Sequence, residues 1–230
     1  MSVKEDISAY RKGFLKEKKY SLESQTYLKK RVFDTYHNLL VHRGLEGFSK
    51  GKKNLDLGSA DLSFVKVCKE NGVESSGLDI SDNINFETDS FPIDSETIDI
   101  VTATSVIEHL YSPSNFMNEI WRVLKPGAAV ILVCPNWRYS YKNYFNDPTH
   151  VHPYTEISLS RVLKNFNFEN EYIVPWLVKK PAWMWDMPKA FFIARWIIPF
   201  RGDASRYIPS FLKGSSGSVL AMAIKPHIEK

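Results

Sequence analysis

The stretch Lys53 to Leu62, KNLDLGSADL, restricts the fold more than any other part of the chain. Its apolar run Asn54-Leu55-Asp56-Leu57 stops at Gly58 and small polar residues, and Leu62, Val65 and Cys68 then recur at about the helical period. A strand, a tight turn and a helix in that order open a nucleotide-binding βαβ unit. Further on, Gly77-Leu78-Asp79-Ile80 is a second short apolar run closed by an acid. In such units that acid accepts hydrogen bonds from ribose hydroxyls.

The remaining pattern extends this unit. Residues 4 to 46 read as helical, with Tyr10, Phe14, Tyr27, Leu28, Val32, Phe33, Tyr36, Leu39 and Leu40 as apolar repeats broken at Lys16 to Lys19. The first strand covers 54–58, and the first helix 61–71, with Leu62 opening it and Asn71-Gly72 ending it. A second strand covers 75–80. Ile84 to Phe86 and Ile98 to Thr102 read as further strands separated by a turn at Pro92. A helix over 113–124 puts Phe116, Ile120 and Leu124 on one face and stops at Lys125-Pro126-Gly127. Ala129 to Cys134 is apolar throughout, as a strand buried on both faces requires. A helix over 156–165, capped by Thr155, precedes strands at Glu171–Val178 and Ser218–Ile224. Such alternation predicts an α/β fold, a parallel sheet with helices on both faces. The loop WRYSYKNYFNDPTHVHPY then lies over the carboxyl ends of the strands, where such sheets bind ligands.

Composition narrows the class. With 230 residues, 43% of them hydrophobic, the chain suits one domain with decorations. Met1 to Glu5 carries no apolar targeting core. Cys68 and Cys134 have neither metal nor redox spacing and read as core residues, which fits a reducing cytoplasm. Charge is uneven: residues 1–53 hold 13 Lys and Arg against 6 acids, 54–175 hold 8 against 17, and 176–213 hold 7 against 2. Basic flanks can meet phosphate in a lipid headgroup, a nucleotide-linked sugar or RNA, or can simply pack on the acidic body. No aromatic-basic strand motif of a common RNA module is present, which argues against a nucleic-acid partner.

Residues 179–215 read as an insertion rich in Trp, Phe and cations. Within it, 183–200 includes KAFFIARWIIPF, too short and too charged to span a bilayer. Peripheral contact with a membrane surface, a lid, a homodimer face and plain core are the readings it allows.

The blocks LDLGSADLSF, GLDIS, FPIDSETIDIVTATSVIEHL, EIWRVLKPGAAVIL and CPN resemble, in order and spacing, the class I S-adenosylmethionine-dependent methyltransferases. The resemblance runs from about Lys53 to Phe168. It implies a Rossmann-like sheet of seven strands, mostly parallel with the last antiparallel, in a domain over 51–230 preceded by a helical cap over 1–50. It assigns Asp56, Gly58 and Ser59 to the first turn beside the methionyl part, Asp79 to the ribose and Ile80 to adenine. Glu87 and Thr88, or Asp89 in a shifted register, fall at the adenine amino edge, and Thr104 and Ser105 face the methionyl part. Tyr27 and Arg31 on the cap can reach the cofactor carboxylate. Where the family usually has glycines, this chain has Ala60 and Leu62.

The chain is also similar to metal-dependent O-methyltransferases of ubiquinone biosynthesis and of small-RNA ends, which carry an E-x-x-E-H block and a later His. Glu108 and His109 match the E-H pair, and His150, five residues before Thr155, matches the later His; Ser105 replaces the first Glu. Asp147 and His152 lie nearby. The set Glu108, His109 and His150 can hold a divalent ion such as Mg²⁺ or Mn²⁺. Alternatively His109 or His150 acts as general base, or the cluster only shapes the pocket.

DPTHVHPYT and GSVLAMAIKP look similar to bacterial methyltransferases of polysaccharide and glycolipid synthesis. The implied reaction is O-methylation of a sugar hydroxyl on a glycan, nucleotide-sugar or glycolipid acceptor, with S-adenosylhomocysteine as product. A quinone or phenolic O-methyltransferase at the inner face of the membrane is the second reading, an RNA end-modifying enzyme the third, and a non-catalytic cofactor-binding scaffold the rival from a different class.

Overall fold

The computed structural model describes residues 22–176, 200–201, 213–215 and 217–227. In chain order the helices are α1 (Leu22–His42), α2 (Ser63–Glu70), α3 (Ser114–Val123), α4 (Trp137–Ser140) and α5 (Glu156–Asn165). The strands are β1 (Lys53–Leu57), β2 (Glu74–Leu78), β3 (Ile98–Thr104), β4 (Leu124–Pro135), β5 (Glu169–Pro175), β6 (Phe200–Arg201), β7 (Lys213–Ser215) and β8 (Ser218–Ile224). Six of them form one sheet in the order β2-β1-β3-β4-β8-β5, and β6 pairs with β7. β8 is antiparallel to both neighbours, while β2, β1, β3 and β4 are parallel. The strand order reverses beside β1, which places a crevice outside the carboxyl ends of β1 and β3.

The sheet separates two apolar clusters. On one side Phe116, Met117, Ile120 and Val123 of α3 and Leu159 and Leu163 of α5 pack on Leu55, Leu57, Val101, Val130 and Leu132. On the other, Phe33, Tyr36, Leu39 and Leu40 of α1 and Phe64, Val67 and Cys68 of α2 cover Ile100, Ile131, Leu220 and Met222. Each such side chain, fully buried, contributes roughly 1.5–3 kcal/mol. Polar Asn54 is tolerated inside β1 because its amide donates to the Ile100 carbonyl (3.1 Å) and its oxygen accepts from the Ser75 hydroxyl (2.8 Å).

Most elements fall where the periodicity places them. Asn71 caps α2, Gly72 follows at φ 81°, and Thr155 closes a capping box with Ser158 on α5. Two expectations need correction. Ile84 to Phe86 is not a strand, so the main sheet has six described strands rather than seven. There Asp89 accepts from the Asn85 backbone N–H (2.7 Å), and the Asn85 side chain accepts from the N–H of Glu87 (3.1 Å). Side chains thus take the backbone donors that a ladder needs. Leu62 does not open α2 but sits before it at φ 57°, half exposed. The loop after Asn136 is also more ordered than its composition suggests, holding α4 and a 3₁₀ turn at Tyr144–Asn146. The expected surface segment 183–200 lies outside the described residues apart from Phe200. Among the described residues no helix is long and apolar enough to cross a membrane.

Candidate functional site

The turn after β1 is built from close approaches. Gly58, at φ 73°, lies so near Val106 that a Cβ would come within 2.3 Å of its Cγ2. Gly77 on β2 similarly abuts Ser59, whose hydroxyl would lie 2.5 Å from an added Cβ. Gly58 and Ser59 donate their N–H groups to the Leu78 carbonyl (2.8 and 3.3 Å), which ties the turn to β2. Ala60 and Leu62 both adopt the left-handed conformation, at φ 48° and 57°. The turn therefore keeps a geometry that glycine would adopt freely, at a cost of about 1–2 kcal/mol per residue.

Two carboxylates border this turn. Asp79 is buried and accepts from the N–H groups of Ala60 (3.1 Å) and Ser81 (3.2 Å). Asp56 accepts from the Thr102 hydroxyl (2.7 Å). Burial pushes its carboxyl up to about 6, offset in part by that hydroxyl and by the Lys29 ammonium of α1, and reinforced by the neighbouring Asp79 and Asp61. The Ser59 hydroxyl is buried without a partner. A tightly packed Gly58, an orphaned Ser59 hydroxyl and two bordering acids fit a nucleoside carrying an ammonium group.

The other expected residues lie on neighbouring loops, strand ends and α1. Ile80 is half-buried and opens a 3₁₀ turn. Glu87 accepts from the Ser112 N–H (2.7 Å), and the Thr88 hydroxyl donates to Asp89 (2.8 Å), so these three side chains brace the loop they stand on. Thr104 meets the Tyr36 hydroxyl of α1 (2.9 Å), and Ser105 follows at φ 57°. Arg31 donates to the Tyr27 hydroxyl (3.2 Å), so these two cap residues engage each other.

Just past β3, a 3₁₀ turn at Ile107–His109 carries Glu108 and His109 toward the loop that holds His150. Ligand atoms of Glu108, His109 and His150 all lie within 4.8 Å of one another. Glu108 is fully buried, and neither carboxylate oxygen has a hydrogen-bond partner of ordinary geometry. Burial pushes its carboxyl up to about 8; its own backbone N–H and the Ser105 hydroxyl offset that in part, and Asp147 adds to it. The loop is clamped to the turn, because Val151 and His152 both donate N–H groups to the Glu108 carbonyl (2.9 and 3.1 Å). His152 Nδ1 meets the Leu110 carbonyl (2.8 Å), which occupies it structurally.

A model of the methyltransferase domain family matches residues 25–173. The chain belongs to that family. Among curated relatives, it is 30% identical over 83 residues to a probable S-adenosylmethionine-dependent methyltransferase of Mycolicibacterium smegmatis, covering 35% of this chain and 32% of that protein. It is 35% identical over 57 residues to an uncharacterized protein of Mycobacterium tuberculosis, 25% of this chain and 20% of that one. The matches thus span a third or less of those relatives. Among solved structures, an S-adenosylmethionine-dependent methyltransferase from Archaeoglobus fulgidus superposes with a TM-score of 0.59 at 19% identity, covering 92% of this chain and 99% of that one. One from Mesorhizobium loti gives 0.57 at 13% identity, over 84% and 99%. These likenesses concern the fold.

In this methyltransferase domain, Asp56, Gly58, Ser59 and Asp79 gather around the first turn, and Glu108, His109 and His150 gather beyond β3. Sequence reasoning gave no role to Tyr144 or Thr149. Tyr144 is buried, its ring 4.5 Å from that of His150, and its carbonyl meets His150 Nδ1 (2.8 Å). Thr149 meets His109 Nδ1 through both its hydroxyl (2.9 Å) and its carbonyl (3.1 Å). The available signal was Asp-Pro-Thr, whose acid accepts the N–H two residues on, here Thr149 to Asp147 at 2.9 Å.

Proposed function

We propose that the chain is an S-adenosylmethionine-dependent O-methyltransferase whose acceptor is a sugar hydroxyl on a glycan, nucleotide-sugar or glycolipid. The observation that carries the reading is the turn after β1, bordered by the buried Asp56 and Asp79, together with a cluster of two imidazoles and a carboxyl at the end of β3. Asp79 would take the ribose hydroxyls, Asp56 the ammonium, and the Gly58–Ser59 turn the methionyl part. When bound, the cofactor supplies a methyl group on a sulfonium, already a strong electrophile. The protein must then place the acceptor oxygen in line and take its proton. His109 or His150 accepts that proton at Nε2, since each ring's Nδ1 faces a backbone carbonyl. Glu108, His109 and His150 are also the residues that would hold a divalent ion such as Mg²⁺ or Mn²⁺, whose charge would favour the alkoxide.

A phenolic or quinone-derived acceptor is the second reading. It is favoured by the exposed Tyr141 and Phe145, whose rings lie 6.4 and 5.7 Å from that of Trp137, which itself stands against Tyr144. Calorimetric titration with S-adenosylhomocysteine, with and without Mn²⁺ and chelator, tests the common part. The expected result is micromolar binding, weakened more than about tenfold in Asp79→Ala, equivalent to about 1.4 kcal/mol or more. Absence of binding by the wild-type protein would promote the scaffold reading.

A further inference from the structure

Behind the two imidazoles stands a unit that neither the family likeness nor the cofactor crevice accounts for. Asp147 Oδ1 accepts from both the hydroxyl (2.5 Å) and the N–H (2.9 Å) of Thr149. That hydroxyl lies 2.9 Å from His109 Nδ1, and the Thr149 carbonyl lies 3.1 Å from the same nitrogen. On the other side, Asp147 Oδ2 is 3.8 Å from His150 Nε2, and His150 Nδ1 faces the Tyr144 carbonyl at 2.8 Å.

Donor and acceptor bookkeeping fixes the protons. A threonine hydroxyl has one hydrogen, and a carboxylate can only accept, so the short contact commits that hydrogen to Asp147. Toward His109 the hydroxyl oxygen is then an acceptor, as is the Thr149 carbonyl. His109 Nδ1 must therefore be the protonated nitrogen, and Nε2 the one that can take a proton or bind a ligand. The Tyr144 carbonyl imposes the same tautomer on His150. Each ring thus presents Nε2 as its acceptor, and one nitrogen of each ring lies within 4.8 Å of a carboxylate oxygen of the buried Glu108.

We infer that Asp147, acting through the Thr149 hydroxyl, is a positioning residue that sets the tautomer and orientation of His109 for the transfer reaction. This rests on the methyl-transfer reading of the site, and it holds whether the imidazoles take a proton or bind a cation. Without the carboxylate, the Thr149 hydroxyl is released to donate to His109 Nδ1. Only the Thr149 carbonyl then still holds the Nδ1 proton, so the Nε2–H tautomer gains population, and in that form the ring can neither accept from a hydroxyl nor ligate through Nε2. An asparagine at 147 has this effect, because its amide can donate to the Thr149 oxygen instead of accepting from it.

The test is long-range ¹H–¹⁵N NMR of histidine-labelled protein at about pH 8, where imidazoles of ordinary basicity are neutral. Wild-type His109 and His150 are expected as Nδ1–H tautomers, with Nε2 resonating in the pyridine-type range. In Asp147→Asn, His109 Nε2 shifts toward the pyrrole-type range. His152, held by the Leu110 carbonyl, stays unchanged as an internal control. Thr149→Val, which removes the hydroxyl and keeps the carbonyl, leaves His109 as the Nδ1–H tautomer, and added to Asp147→Asn it reverses the shift, whereas Thr149→Ser added to Asp147→Asn does not. Should Asp147→Asn fail to fold, Asp147→Ala, which also frees the hydroxyl, decides. An unchanged His109 tautomer in Asp147→Asn or, failing that, in Asp147→Ala overturns the inference. Binding of S-adenosylhomocysteine, measured on the same samples, reports separately on the methyl-transfer reading.

Discussion

The two ends of the sheet treat their polar groups in opposite ways. At the amino ends of the parallel strands, Lys225 is buried, yet its ammonium reaches Glu96 (3.0 Å) and the carbonyls of Trp121 (3.1 Å) and Leu124 (2.8 Å). Asp99 there accepts from the Lys125 ammonium and the Lys53 N–H, both at 2.9 Å. Close by, Arg122 clasps Glu119 with two donors and spends a third and fourth on the Ile93 and Phe91 carbonyls. At the carboxyl ends, Ser59 and Glu108 have buried oxygens with no partner, and Ala60, Leu62 and Ser105 are left-handed. One end spends its polarity on holding the fold. The other leaves the buried oxygens of Ser59 and Glu108 without a protein partner.

The largest expected break in that contrast is at Glu108. A carboxyl held at about 8 by burial favours its protonated form, so the stability it allows is complete below the ordinary glutamate range near 4.5 and is lost as pH rises to about 8. Glu108→Gln removes the charge and keeps the shape. The variant should lie close to wild type at pH 5 and exceed it at pH 9 by up to about 5 kcal/mol, because each tenfold change in proton affinity is worth about 1.4 kcal/mol. Urea unfolding across that range checks this; parallel pH profiles for the two proteins would mean that Glu108 is solvated or partnered.

At the saturated end the effect has the opposite sign. Lys225→Ala strips donors from two carbonyls and should destabilise by about 3 kcal/mol. Binding of S-adenosylhomocysteine should stay unchanged, because the lysine lies across the sheet from the crevice. Lost affinity in a folded Lys225→Ala protein would show that the two ends are coupled.

Much of this contrast was legible in the sequence, for physical reasons that differ between residues. α3 and α5 announce themselves because Phe116, Ile120, Leu159 and Leu163 recur at the spacing of one buried face. β4 does so because Ala129 to Cys134, covered on both sides, is apolar throughout. Ile84 to Phe86 misleads because its apolar residues suit a strand, while Asn85 and Asp89 bond the backbone locally. Asp56, Asp79, Glu108, His109 and His150 carry distinctive chemistry in their side chains and so could be named. Tyr144 and Thr149 work largely through carbonyls, which every residue possesses, and only the folded loop shows where those point.

The smallest effect concerns the turn between the two glycine-like positions. Leu62 is 49% exposed and left-handed at φ 57°. It gains little from burial while bearing the cost of a Cβ in that conformation. Leu62→Gly relieves that cost, about 1–2 kcal/mol, less the extra entropy that glycine loses on folding, about 0.5–1 kcal/mol. The net expectation is a stabilisation of under about 1.5 kcal/mol, seen as a rise in Tm of a few degrees. Gly77 sets the limit on this reasoning, because a Cβ there would fall 2.7 Å from Leu62 Cδ2. If that contact instead anchors the leucine, Leu62→Gly will lower Tm, and the left-handed leucine is held by packing rather than tolerated despite strain.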